Sequence, residues 1–180
     1  MKGQFFIVGA IFICALLFFG IAPTIRVTDS PSADMELTAE NLAKEYPHAL
    51  NIGINSSAPL QTLYNFTVFS ESNLLDRGID FNILWIVFRP LDGSTNVTIY
   101  NAMDSSKVVG VNVSGTYTDI EAPLNNFNNS VYSVPVYGFN FSVTIDGDET
   151  EGFAISNKTS LYSLISLERG TNLVRKELLA

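Results

Sequence analysis

Cysteine and histidine are almost missing from this sequence: Cys14 and His48 each stand alone. A single Cys forms no intrachain disulfide. A single His, with no second His or nearby Cys, builds neither a zinc site nor a Ser-His-Asp triad. Basic residues are scarce, ten Lys and Arg against eighteen Asp and Glu, and the formal net charge is −8. An acidic surface repels phosphates, which argues against nucleic acid as a partner. No internal repeat is visible. No spacing of carboxylates, nucleophiles or metal ligands marks a catalytic centre, so the expectation is a non-enzymatic protein without a cofactor.

What the sequence does have is one long apolar run. Phe5 to Ala22 carries no charged or strongly polar side chain, and Cys14 lies inside it as a small apolar residue. Eighteen helical residues span about 27 Å, close to the hydrocarbon thickness of a bilayer. The run is longer than a secretory h-region, and Gly20-Ile21-Ala22 is followed by Pro23, a poor residue after a cleavage point. A retained membrane anchor is the expectation. Lys2 and Arg26 flank the run too evenly for charge to set its orientation.

The glycosylation signature sets it instead. Asn-x-Ser/Thr occurs at Asn55, Asn65, Asn96, Asn112, Asn128, Asn140 and Asn157, seven of sixteen Asn, where chance gives roughly three. In Asn96-Val97-Thr98-Ile99 and Asn140-Phe141-Ser142-Val143, strand periodicity sends Asn and its hydroxyl partner to one face. Val97, Ile99, Phe141 and Val143 then go to the core, and Asn112 and Ser114 alternate in the same way with Val111 and Val113. A translocated domain follows: N-terminus cytoplasmic, C-terminal domain outside the cell, anchored in the membrane by a single pass.

The expected organisation is a leader and transmembrane helix over 1–26, a linker over 27–35, a helical segment over 36–78 and a β-rich domain over 79–180. Thr38 with Glu36, Glu40 and Glu45 suits a helix start, and Pro47 should kink or restart that helix. Ser57 is placed to cap a second helix with Pro59 in its first turn. In that helix Leu60, Leu63, Tyr64, Thr67, Val68, Glu71, Leu74 and Leu75 fall on one face, and Gly78 ends it.

From Ile79 the period changes. Phe81 to Phe88, with Trp85, is apolar on both faces and reads as a central strand closed by Pro90 and Asp92-Gly93. Thr95–Tyr100, Lys107–Ser114 and Phe139–Asp146 alternate strictly, and shorter strands fit Ser130–Tyr137 and Gly152–Ser156. Thr159–Leu167 and Leu173–Leu178 form a hairpin around Arg169-Gly170-Thr171-Asn172. The expected class is α+β: two amphipathic helices against a mainly antiparallel sheet or sandwich, behind a transmembrane helix. Tyr132, Tyr137, Phe139 and Phe141 are expected to pack within it. The acidic turn Asp146-Gly147-Asp148-Glu149-Thr150-Glu151 departs from calcium-loop spacing and reads as solvated.

Lys2-Gly3-Gln4, directly before the apolar run, resembles the class III signal peptide of archaeal type IV pilin-like proteins. The resemblance covers about 20 residues. It implies that a prepilin peptidase cuts between Gly3 and Gln4, and that the retained helix packs with helices of other pilin-like subunits. Two features depart from that family. Val8 stands where pilins usually carry Glu, and Pro23 interrupts the long helix expected to run into the head. They point to a minor or pilin-like subunit, or to an anchor alone.

Overall fold

A computed structural model describes residues 31–113, 116–133, 140–145, 147–149, 153–154 and 158–180. The expected leader and transmembrane helix, Gly3, Gln4 and Asn157 lie outside these residues. Among the described residues, no helix is long and apolar enough to cross a membrane.

Among the described residues two helices come first: α1, Pro31–Asn55, and α2, Pro59–Leu75. The α1 helix begins five residues ahead of the expected start at 36, so Pro31–Met35 are helix, not linker. A proline is well tolerated in a first turn, and Met35 is already fully buried. Its inward stripe is Met35, Ala39, Ala43, Tyr46, Leu50 and Gly53. Pro47 does not restart the helix, which runs unbroken to Asn55. Gly53 allows α1 to turn back closely onto α2, since a Cβ there would lie 2.6 Å from Pro59 Cα.

Ser57 does not cap α2. It takes a left-handed φ of 60° in the turn, and the N-cap is Ala58, with Pro59 at the first helical position. At the far end Ile79 N–H bonds Leu74 O and Gly78 N–H bonds Leu75 O, both at 2.9 Å. This is a Schellman closure, and Gly78 supplies the φ of +66° it requires.

Ten strands follow. They are β1 (Asp80–Leu91), β2 (Ser94–Ala102), β3 (Lys107–Val113), β4 (Thr116–Ala122), β5 (Asn126–Tyr132), β6 (Asn140–Ile145), β7 (Asp148–Glu149), β8 (Phe153–Ala154), β9 (Ser160–Arg169) and β10 (Asn172–Leu179). One sheet has the order β10-β9-β1-β2-β5. The second has the order β4-β3-β6-β7, with β8 also paired to β6. Every ladder is antiparallel.

The α+β class is therefore as expected, in three layers: helices, first sheet, second sheet. Strand β1 is the middle strand of the middle layer. Its odd residues Ile83, Trp85 and Val87 join the helix-side core with Tyr46, Leu63 and Leu74. Its even residues Leu84, Ile86 and Phe88 join Val97, Ile99, Val109 and Ile120 in the core between the sheets. Burial on both faces explains its unbroken apolar run. The strand runs through Pro90 to Leu91 and closes at the expected Asp92-Gly93 turn. Its pairing with β9 stops at Phe88, so Pro90 sits where no ladder on that side needs its missing N–H.

Three strand expectations shift. Strand β4 was not expected; its Thr116-Tyr117-Thr118-Asp119 reads as polar because one face is solvated. Strand β5 begins at Asn126, four residues ahead of the expected 130–137 strand, and runs to Tyr132; residues 134–137 lie outside the described residues. Its Asn-rich start is poor in strand formers but is held by the ladder to β2. Of the expected 152–156 strand, the two residues Phe153 and Ala154 pair with β6.

Candidate functional site

The expected face of α2 is buried at Leu63, Thr67 and Leu74, with Leu60 and Tyr64 half-buried against the same core, and Ser70 joins it. Val68 and Leu75, also expected there, are 44% and 65% exposed. Thr67 ties this face to its neighbours. Its hydroxyl donates to Leu63 O (2.9 Å), so its oxygen is left to accept from Tyr46 Oη (3.0 Å) and from Trp85 Nε1 (3.4 Å). This node joins α1, α2 and β1 in the core and is structural. Burial pushes the Tyr46 phenol far up, against the smaller opposing effect of its Thr67 hydrogen bond. Around it, Trp85, Tyr100, Tyr64 and Phe127 stack at centroid separations of 4.8–5.9 Å. Of the aromatics expected to pack, Tyr132 is buried between the sheets. Tyr137 and Phe139 lie outside the described residues.

The second core is held by another polar side chain. Asn101, fully buried, donates to Ala122 O (2.7 Å) and Ser105 O (2.9 Å) and accepts from Met103 N–H (2.9 Å). It fixes the 103–106 loop against the end of β4.

That loop forms one wall of a cleft of about 380 Å³. The inward face of β9 and β10 forms its floor. Pairing aligns the side chains in rows across the exposed floor. Arg175, Ser166 and Asn82 form one row, Leu173, Glu168 and Asp80 the next, and Glu177 and Leu164 a third. Met103, Asp104, Lys107 and Ile145 line the opposite wall. Lys107 lies 3.2 Å from Asp104. Hydrogen bonding from Lys107, then from Ser105, holds the Asp104 carboxyl below the usual carboxylate range. At the inner end, burial raises the Tyr162 phenol, and the Glu177 carboxylate adds to this. Asp104, Glu168 and Glu177 are exposed residues.

None of these cleft residues was singled out in the sequence. The signal lay in the hairpin: once Arg169 and Asn172 flank a two-residue turn, Arg175 must pair with Ser166. The residues themselves are ordinary for a polar strand face.

The sequence-predicted sites are dispersed. Asn55 ends α1 and Asn65 lies mid-α2, both exposed. Asn65 Oδ1 accepts from Gln61 Nε2 (2.8 Å), which leaves its Nδ2 outward. Asn112 is half-buried on the outer face of the second sheet, opposite a buried Val111, as its alternation implied. Asn128 Nδ2 already donates to Glu121 O at 2.7 Å. The solvent-face expectation fails at Asn96: Thr98 is 3% exposed, because that face of β2 lies on the helix side of the middle layer. For Asn140 only the strand position in β6 is described. His48 is exposed on α1. Within the acidic turn, Asp146, Thr150 and Glu151 lie outside the described residues. Among the described residues no three His, Cys, Asp or Glu side chains gather as a metal site.

No protein-family model matches the chain, and no curated protein matches it.

Proposed function

We propose that the chain is a non-enzymatic, membrane-anchored cell-surface protein, a pilin-like or pseudopilin-like subunit that assembles through its N-terminal hydrophobic helix. The observation that carries this is Lys2-Gly3-Gln4 set directly before eighteen apolar residues. In this account a prepilin peptidase removes Met1–Gly3, and the helix packs with those of other pilin-like subunits. The C-terminal domain stands outside the cell. Among the described residues, the exposed acceptors Asn55 and Asn65 are open to carry glycan. Support comes from an amphipathic helix leading into a β-rich head, and from an acidic net charge that suits a soluble outer surface. Intact-mass spectrometry of membrane-extracted protein tests the processing step. Electron microscopy of the same fraction tests assembly, with filaments as the expected result.

A second reading is favoured by the cleft beside β10: a single-pass surface module that recognises a protein or a glycan. Sedimentation of the full chain in detergent separates the two. One unchanging species across concentration fits the module, and defined helical assemblies fit the subunit.

A further inference from the structure

We propose that the cleft between the β9–β10 face and the 103–107 segment is a binding site for a neutral saccharide. Arg175, Ser166 and Asn82 stand side by side on three adjacent strands and all line the cleft. At strand spacing of about 4.8 Å they offer a guanidinium fork, a hydroxyl and a carboxamide in one row. None of the three is hydrogen-bonded or ion-paired to a side chain among the described residues. Ser166 is only 5% exposed and lines the cleft.

Charge selects the ligand class. Lys107 and Asp104 neutralise one another across 3.2 Å. That leaves Arg175 between Glu177, two residues along the strand, and Glu168, diagonal to it on β9. An anion would meet the two carboxylates, and a cation would meet the guanidinium. A neutral ligand whose groups both donate and accept satisfies all three, and sugar hydroxyls do both. Leu164 and Leu173 give the C–H face of a ring an apolar surface. The β9 backbone beneath the cleft is already spent in ladders on both sides, so a ligand there is held by side chains. The volume lies in the usual range of small-ligand sites.

The proposal rests on the binding reading and names its ligand class; sedimentation tests that reading separately. The experiment uses the full chain in lipid nanodiscs without glycolipid. Saturation-transfer NMR is run with glucose, galactose, mannose and N-acetylglucosamine as probes. At least one sugar is expected to bind, with millimolar or tighter affinity. Arg175→Ala and Asn82→Ala should each weaken it roughly tenfold or more. Arg89→Ala, distant on β1, should leave it unchanged. Arg175→Lys keeps the charge without the fork and should also weaken binding, and circular dichroism confirms that each variant is folded. Binding of none of the four sugars overturns the proposal. A sugar bound equally by wild type and Arg175→Ala also overturns it, while leaving a binding module whose site lies elsewhere.

Discussion

Thr67 shows how much one polar atom decides. It is 1% exposed, and its oxygen is the shared acceptor for a tyrosine and a tryptophan from two other elements. Thr67→Val keeps the shape and removes the acceptor, leaving two buried donors unmet. A loss of about 2–4 kcal/mol is expected, read as a lower urea midpoint with an unchanged slope. A variant as stable as wild type would show that the node is incidental. From the sequence, Thr67 looked like a polar interruption in an apolar face, because nothing local announces its partners 21 and 18 residues away.

Buried phenols give the molecule an alkaline limit. Burial raises Tyr46, Tyr100, Tyr132 and Tyr162 above the ordinary 10.0. In the unfolded chain these groups ionise near 10.0, so above that pH the unfolded state has shed protons that the folded state keeps. The stability they contribute is complete below pH 10.0 and falls as pH rises beyond it. For Tyr46 the slope is about 1.4 kcal/mol per pH unit. Urea unfolding at pH 8 to pH 11, in roughly unit steps, should show a flat midpoint followed by a decline. A midpoint still flat at the alkaline end would contradict this.

At the scale of elements, the close approach of the two helices is set at Gly53. In an open helix, Gly→Ala gains about 1 kcal/mol from propensity. Here the new Cβ would meet Pro59 Cα at 2.6 Å and Thr62 Cβ at 3.0 Å. Backbone must shift, at a cost of about 1–3 kcal/mol, so Gly53→Ala should destabilise. Thermal unfolding reads the sign directly, and a raised Tm would mean that the helices pack less closely.

Elements with strict periodicity were legible: the central strand, the β9–β10 hairpin and the Gly78 closure each follow from local residue chemistry. The exposed edges were not. Strands β4 and β5 owe their existence to ladders with β3 and β2, and their polar sequences carry little strand signal of their own. The face of α2 was legible at Leu63, Thr67 and Leu74 and was drawn too wide at Val68 and Leu75, which are exposed.

At the scale of the molecule, a three-layer arrangement answers what the absent disulfides leave open. The middle sheet packs on both faces, so two cores share one set of strands without a covalent staple. The alternation of Asn96 and Thr98 misled because both faces of a middle layer are covered; alternation alone cannot distinguish a helix-covered face from a wet one. The cleft was invisible in the sequence because its floor comes from three strands and its wall from the 103–106 loop, which no single segment contains.

The account turns on what becomes of the first residues. Intact-mass measurement of the protein extracted from membranes of its own cells tests it most directly. Cleavage after Gly3 predicts a mature chain that begins at Gln4 and keeps the apolar helix, with any glycan mass added to that value. A chain that still begins at Met1, or one cut after Ala22 and released from the membrane, would contradict assembly through the N-terminal helix.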